Sequence, residues 1–217
     1  MSNNDSFIDE VNEEVRRDKL YAAFRKYGWI GLVAVLAIVG GSAWNEYSKS
    51  AARTEAQAFG DAVLTAMANN DPAERVKALD AVTGDPAQSG VLRLLAAAEA
   101  VAAEDVDAAL ADLRKVVADT TLPAIYRDLA QLKLVTLSGD RMDAAERDSA
   151  LATLAAAGAP FRMLAMEQQA LALLAADKTG DAVTLLRAIL QEPGLTAALQ
   201  RRVTQLIVAL GEDPSAA

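Results

Sequence analysis

The sequence contains no cysteine and no histidine, and both absences narrow the chemistry open to this protein. Without cysteine there is no disulfide framework, no thiol nucleophile and no thiolate-bound metal. Without histidine there is no serine–histidine triad, no histidine general base and no histidine-ligated zinc. We therefore expect a protein that is not an enzyme and that has no catalytic residue, cofactor or metal site.

Aromatic residues are also scarce, at 5% of 217 residues, and the chain has fewer basic than acidic side chains. Few aromatics disfavour an all-β sandwich, and 53% hydrophobic residues exclude a disordered chain. The formal net charge of −9 disfavours a nucleic-acid surface, which needs lysine and arginine opposite the phosphates. The many alanines favour closely packed helices. The composition therefore predicts an all-α fold that binds no nucleic acid.

One uncharged segment, Tyr27 to Asn45, stands out from the charged remainder of the chain. As a helix these nineteen residues would rise about 28 Å, close to the roughly 30 Å hydrocarbon core of a bilayer. We predict a transmembrane anchor over residues 28–47, with the lipid bilayer as a partner. A buried core helix is the alternative. Aromatic residues at both ends of the segment match the interfacial belts of membrane proteins, and we take four as interface anchors: Tyr27, Trp29, Trp44 and Tyr47.

Lysine and arginine are concentrated before the apolar segment. Five lie from Arg16 to Lys26, and only Lys49 and Arg53 follow closely behind it. The positive-inside rule predicts that residues 1–27 form a cytosolic N-terminal helix and that the chain after the anchor is translocated. A cleaved signal peptide is the alternative, because Gly41-Ser42-Ala43 resembles a cleavage site. The long acidic leader favours an uncleaved anchor.

Small residues inside the apolar segment indicate where a second membrane helix would pack. Gly31, Ala37 and Gly41 would let two helix backbones approach closely in lipid. Small residues are common in membrane spans generally, so this packing role is a hypothesis.

Four prolines divide the rest of the chain into similar intervals. They stand at positions 86, 123, 160 and 193, with turn signals about midway at Glu104-Asp105, Gly139-Asp140 and Gly180-Asp181. Each interval fits a helix, a turn and a second helix, and a period in the thirties is typical of an α-solenoid. We predict such a solenoid over residues 48–211, opened by a helical hairpin (residues 51–69 and 72–83), and a flexible C-terminal tail over residues 212–217.

Apolar stripes with helical spacing support these intervals. Gly211 follows the last stripe as a C-terminal cap, while Asp71-Pro72 and Asp85-Pro86 are typical of an N-cap followed by a first-turn proline. Four stripes are predicted to face the core: Val106, Ala109, Leu110, Leu113, Val116 and Val117; Ile125, Leu129, Leu132 and Val135; Ala182, Leu185, Leu186 and Ile189; and Leu199, Val203, Leu206, Ile207 and Leu210.

Other charged and soft side chains have structural interpretations. The acidic residues Asp105, Asp107, Asp140, Asp143 and Asp181 lie in predicted turns and first helical turns, where a carboxylate complements the helix dipole. Paired carboxylates of a glycosidase are the alternative. The glycines form no nucleotide-binding motif, so we expect no small-molecule substrate.

Two further pairs are open to more than one interpretation. Met163 and Met166 fit adjacent core positions or a soft binding surface. Arg201-Arg202 fits a solvated helix face or a site for an acidic partner.

The layout as a whole resembles a known family. An acidic start with Phe7-Ile-Asp-Glu-Val11, Tyr27-Gly-Trp29 opening one apolar span, degenerate helix pairs and a closing Leu199-Gln-Arg-Arg-Val203 helix are similar to the YfgM-like family. The helix pairs resemble tetratricopeptide repeats. The resemblance implies a single-pass protein of the bacterial inner membrane, with a cytoplasmic N-terminus and a periplasmic repeat domain, that associates with the SecYEG translocon and with periplasmic chaperones.

The expected function is therefore binding. We expect a membrane-tethered interaction protein whose partners are translocon subunits, periplasmic chaperones or exported polypeptides. An envelope scaffold factor that coordinates cell division or cell-wall synthesis is the alternative.

Overall fold

The computed structural model of the chain describes the backbone of residues 3–214 and the side chains of residues 25–26, 29–31 and 33–214. This described part is helical and contains no strand, which confirms the all-helical prediction. A 3₁₀ turn at Gly139–Arg141 follows the fifth of its α-helices. The α-helices are α1 (Asn3–Met67), α2 (Pro72–Asp80), α3 (Pro86–Ala102), α4 (Val106–Ala118), α5 (Ala124–Ser138), α6 (Ala144–Leu154), α7 (Arg162–Ala175), α8 (Thr179–Leu190) and α9 (Ala197–Ala209).

The first helix is continuous over 65 residues. It joins the predicted N-terminal helix, the apolar segment and the first helix of the opening hairpin, which the sequence analysis treats as separate elements. No proline occurs between Asn3 and Met67, and the glycines there lower helix propensity without removing a backbone hydrogen bond. The chain forms two compact units, Met1–Ala58 and Phe59–Ala217, and α1 contributes to both.

Within the second unit, each helix from α2 to α9 packs mainly against its neighbours in the chain. The pairs α3–α4, α5–α6 and α7–α8 are successive helical hairpins, and α9 follows the last of them. This is the nearest-neighbour arrangement of a helical repeat. The predicted repeat architecture is therefore present in the structure.

Acidic residues and prolines begin the first helices of the unit as predicted. Asp71 caps α2 ahead of Pro72, where its carboxylate accepts a hydrogen bond from a first-turn backbone N–H at 3.0 Å. Asp85 caps α3 ahead of Pro86. Its carboxylate accepts from the Gln88 N–H at 2.7 Å, and its own N–H donates to the Gln88 side chain at 2.9 Å. This reciprocal pair is a capping box, which satisfies donors that a helix start leaves free.

The core consists of two clusters. The smaller one joins the end of α1 to α2 and α3 around Ala66, Leu79, Leu92 and Ala96, with Phe59, Val63 and Met67 packed against it. The larger one runs from α3 to α9. It contains the predicted stripes of α4, α8 and α9, whose members are buried or half-buried. Methionines 163 and 166 pack in or against it, which confirms the core interpretation.

The predicted stripe of α5 is only partly correct. Leu132 and Val135 are buried as expected, but Ile125 is 44% exposed and Leu134, outside the stripe, is buried. The helix packs against α3, α4 and α6. Its buried face is therefore broader than the single predicted stripe. Ile125 lies in the first turn, and a stripe does not reveal whether a neighbouring helix extends that far.

One predicted turn is displaced. The Gly180-Asp181 pair lies in the first turn of α8, and the chain reverses at residues 176–178. Asp177 supplies the left-handed conformation that the turn needs, with φ of 59°. Aspartate tolerates that region better than most residues, which is why glycine is not required there.

Glycine is favoured by close packing at Gly90 and by the backbone conformation at Gly211. Gly90 in α3 lies under Leu122, and an added Cβ would come within 2.9 Å of the leucine Cδ2. Gly211 follows α9 with φ of +80°, and Glu212 donates its N–H to the carbonyl of Ile207 at 3.1 Å. This is the hydrogen bond of a Schellman cap, so the predicted C-terminal cap is confirmed.

Candidate functional site

The second unit contains an open apolar groove of about 480 Å³, which we call the inner groove. All of its lining residues but one belong to α3, α5, α7 and α9, so the first helix of each hairpin faces the groove. The second helices of the hairpins, α4, α6 and α8, contribute only Leu113. The lining residues are Leu94, Ala97, Ala98, Val101, Leu113, Leu129, Leu132, Lys133, Thr136, Leu137, Leu164, Glu167, Gln168 and Arg202.

Apolar side chains dominate this lining, and some of them are exposed. Val101 is 43% exposed, although Ala96 and Ala100 of the same helix are buried. Helix α3 therefore presents one apolar face to the core and a second to the groove. Exposed apolar surface inside a concavity is characteristic of binding sites.

Arg202 and Glu167, which both line the groove, form a bidentate ion pair. The arginine Nε donates to Glu167 Oε1 at 2.9 Å, and Nη2 donates to Oε2 at 2.7 Å. The glutamate side chain is 12% exposed and the arginine 52%. The hydrogen bond to Glu167 raises the pKa of the Arg202 guanidinium above its usual value. The pair joins α9 to α7 and neutralises the only carboxylate in the groove lining.

The two arginines of Arg201-Arg202 differ in their surroundings, and a site for an acidic partner there stays a prediction. Arg201 is exposed. Arg202 pairs with Glu167 of the same chain.

Lys133 is the second basic residue of the groove. It is exposed on α5, and it makes no ion pair or hydrogen bond with the described residues. Gln168, on α7, likewise has a side-chain amide without a hydrogen bond to the described part of the chain. The groove thus offers an apolar surface with one cation and one amide available to a ligand.

The acidic residues that could have served as paired catalytic carboxylates cap helices or lie at their starts. Asp105 accepts from a first-turn N–H of α4 at 2.9 Å, and Asp143 accepts from one of α6 at 3.0 Å. Asp107, in the first turn of α4, pairs with Arg141 at 3.1 Å. Asp140 lies in the 3₁₀ turn and Asp181 in the first turn of α8. The described residues contain no cluster of acidic side chains that would hold a metal ion.

The apolar segment lies in the first unit and is exposed throughout its described side chains. Trp29, Trp44 and Tyr47 are 63%, 73% and 70% exposed, and the rings of Trp44 and Tyr47 lie 6.3 Å apart. The side chain of Tyr27 lies outside the described residues. Residues 29–67 are long and apolar enough to cross a membrane by length and composition, and none of their most apolar window is buried.

The three small residues of this segment lie on its exposed surface. A Cβ added at Gly31 or Gly41 would meet nothing within 4 Å. Ala37 and Gly41 are about one turn apart, whereas Gly31 lies about 80° around the helix from Gly41. The packing role of these residues stays a prediction.

The repeat domain is also recognised by its sequence. Residues 21–206 match the family model described as a tetratricopeptide repeat-like domain. The chain belongs to this family. Comparison with curated protein sequences gave no match, and neither did comparison with solved structures. A tetratricopeptide repeat-like domain indicates a role in protein–protein interaction.

The groove and the ion pair of this tetratricopeptide repeat-like domain were not predicted from the sequence. One signal was available. Glu167 stands at a core-facing position between Met166 and Ala170 of an otherwise apolar helix face, and a charge there requires a partner. The sequence does not reveal which arginine supplies it, because Arg202 lies 35 residues away.

Proposed function

We propose that this protein is a non-enzymatic, membrane-anchored binding protein whose inner groove holds segments of partner proteins. The observation that carries the proposal is the open apolar lining contributed by the first helices of successive hairpins. A groove of this volume falls within the range of about 300–1,000 Å³ that is typical of ligand pockets. It therefore suits a few side chains of a peptide segment.

The exposed apolar segment supports the anchor. Its described side chains are all exposed. Such exposure of apolar side chains is expected for a segment that lipid surrounds. The family match begins at residue 21 and so includes this segment together with the repeats. Tethering to a bilayer raises the effective concentration of the domain near membrane partners without adding contacts.

The partners we propose follow from the YfgM-like resemblance: subunits of the SecYEG translocon, periplasmic chaperones and exported polypeptides at the bacterial inner membrane. Residues 1–27 would be cytoplasmic, residues 28–47 would span the membrane and the repeat domain would be periplasmic. The predicted tail follows the Schellman cap, and its last residues, 215–217, lie outside the described residues.

Photo-crosslinking in living cells tests the groove. A photoreactive residue replaces Thr136, which lines the groove, or Gln205, which is exposed on α9 and does not line it. We expect protein adducts from position 136 that include a translocon subunit, a chaperone or an exported chain, and few adducts from position 205. Adducts with cell-wall synthases or division proteins would favour the scaffold alternative.

A filled groove provides the matched comparison. Ala98→Trp places an indole in the groove, whereas Ala152→Trp adds the same side chain to an exposed site on α6. We expect the first variant to lose the adducts and the second to keep them, with circular dichroism showing both folded. Adducts that survive Ala98→Trp would mean that partners bind elsewhere.

The absence of cysteine gives a clean test of topology. Single variants Ser2→Cys and Asp80→Cys are treated in spheroplasts with a membrane-impermeant maleimide. We expect Asp80→Cys to be labelled and Ser2→Cys to be protected until the cells are lysed. Labelling of Ser2→Cys in intact spheroplasts, or recovery of a soluble chain that starts near Trp44, would contradict the proposed anchor.

A further inference from the structure

The inner groove has a charge preference that its apolar lining alone would not give. Resting on the proposed function, we propose that the groove selects apolar polypeptide segments that carry an acidic residue, whose carboxylate pairs with Lys133. This specifies the kind of protein segment that binds.

The charges of the lining favour a carboxylate. Glu167 is already paired through both oxygens with Arg202, so it offers little attraction to a basic ligand. Lys133 has no such partner among the described residues. The lining therefore carries one net positive charge, although the chain as a whole has a formal net charge of −9. An acidic group gains from Lys133 and a basic group is repelled by it.

Covering the groove strengthens this preference. A bound apolar segment displaces water from around Lys133, and an ammonium group that loses water without gaining a counter-charge is destabilised. A carboxylate on the ligand supplies that counter-charge. A neutral ligand of the same shape leaves the ammonium with less hydration and no partner.

The groove also fits a polypeptide better than a fatty acid, although both combine apolar surface with a carboxylate. The free amide of Gln168 can donate and accept hydrogen bonds. The hydroxyl of Thr136 donates to the Leu132 carbonyl at 2.8 Å and can still accept. These groups match the N–H and C=O of a peptide backbone, whereas an acyl chain leaves them unpaired.

The test uses the full chain in lipid nanodiscs and two fluorescein-labelled, end-blocked peptides of leucine, alanine and serine. One peptide has a central glutamate and the other a glutamine there. Fluorescence anisotropy gives their affinities after subtraction of binding to empty nanodiscs. We expect the glutamate peptide to bind about fivefold more tightly, the upper range for a solvent-accessible ion pair.

Three variants assign that difference to Lys133. Lys133→Gln should reduce the affinity ratio to about one, and Lys133→Arg should retain it. Arg114→Gln removes the same charge from an exposed site on α4 outside the groove, and it should leave the ratio unchanged. Circular dichroism checks that each variant is folded.

The contrary outcomes separate the two proposals. Suppose that the unaltered chain binds the two peptides equally well and that Ala98→Trp abolishes this binding. The preference for an acidic residue would then be overturned, whereas binding in the groove would be supported. Failure of both peptides to bind would overturn both proposals. Binding of dodecanoate that depends on Lys133, with neither peptide bound, would instead assign the groove to a lipid.

Discussion

At the scale of single residues, the stability of the second unit depends on side chains that are buried between its helices. Leu186 in α8 is fully buried in the large cluster, whereas Val208 in α9 is 58% exposed. The two residues belong to the same part of the fold and differ in the apolar contacts they make. Truncating each residue to alanine therefore shows how much of its contribution to the free energy of unfolding comes from burial.

Leu186→Ala should lower the free energy of unfolding by about 2–5 kcal/mol, because it removes buried methyl groups and leaves a cavity. Val208→Ala should change it by less than about 0.5 kcal/mol, since an exposed side chain leaves no cavity. Urea unfolding of the full chain in nanodiscs, followed by circular dichroism, measures both. Equal effects would mean that the assignment of the α8 face is wrong.

Asp119, at the end of α4, shows how one turn depends on ionisation. Its carboxylate accepts hydrogen bonds from the hydroxyl of Thr121 at 2.6 Å and from the Thr121 N–H at 2.9 Å. These bonds, the hydroxyl bond most of all, lower the pKa of the Asp119 carboxyl below the usual value for an aspartate. They stabilise the ionised form and hold the turn that leads into α5.

Asp119→Ala should destabilise the fold at neutral pH, and the difference from the unaltered chain should shrink as the pH falls below about 4. The folded pKa is the lower one, so its stabilisation is present above the unfolded pKa and is lost as the carboxylate becomes protonated. Thermal unfolding at pH 7 and pH 3 measures this. Asp119→Asn keeps an acceptor for Thr121 and should lose only part of the stability. A difference that does not change with pH would contradict this role.

At the scale of elements, α9 is held to α7 by a pair whose members differ in burial. Glu167 is nearly buried, whereas Arg202 is half-exposed and retains access to water. Removing the arginine leaves a nearly buried carboxylate without its donors. The neighbouring Arg201 is exposed and serves as a matched site on the same helix.

Arg202→Met should lower the free energy of unfolding by about 1–3 kcal/mol, the cost of leaving a buried acceptor unpaired. Arg201→Met should have almost no effect. Glu167→Gln should cost less than Arg202→Met, because the arginine that remains can be hydrated. Chemical unfolding of the three variants provides the comparison. A cost for Arg201→Met equal to that for Arg202→Met would show that the charge of α9, and not this pair, matters.

Elements differ in how far their sequence determines them. The caps at Asp71, Asp85 and Asp105 were predictable because a capping residue bonds to backbone within three positions of itself. The buried face of α5 and the inner groove were not predictable, because they depend on which helices come into contact in the folded domain. Ile125 fits the apolar stripe and is nevertheless half-exposed. A stripe predicts which side of a helix faces the core, but it does not predict how far the neighbouring helices extend along that side.

At the scale of the whole molecule, the second unit needs the last two turns of α1. Phe59, Val63 and Met67 pack against the small cluster around Leu79 and Leu92. The unit begins at Phe59, later than the residue 48 at which the repeat domain was predicted to start. This contact defines the shortest fragment that keeps both core clusters.

Fragments that start at residues 51, 59 and 69 and end at 217 test this boundary. The first two should be soluble without detergent, strongly helical and equally stable. The third should be less stable by about 2 kcal/mol or more, because side chains that covered the small cluster are gone. Thermal unfolding by circular dichroism compares them. Equal stability of all three would show that α1 contributes nothing to the core, and a loss in the second would place the boundary before residue 59.

The nearest-neighbour packing of the second unit also governs the order in which it can form. Helix α3 meets α4, and α4 meets α5, so most contacts join parts of the chain that are synthesised within seconds of one another. Folds built from such local contacts close short loops and form quickly. The α3–α4 hairpin can therefore assemble before α9 has been made, and each later hairpin adds to a surface that already exists. Growth from the N-terminal end shortens the time for which an apolar helix face is left uncovered.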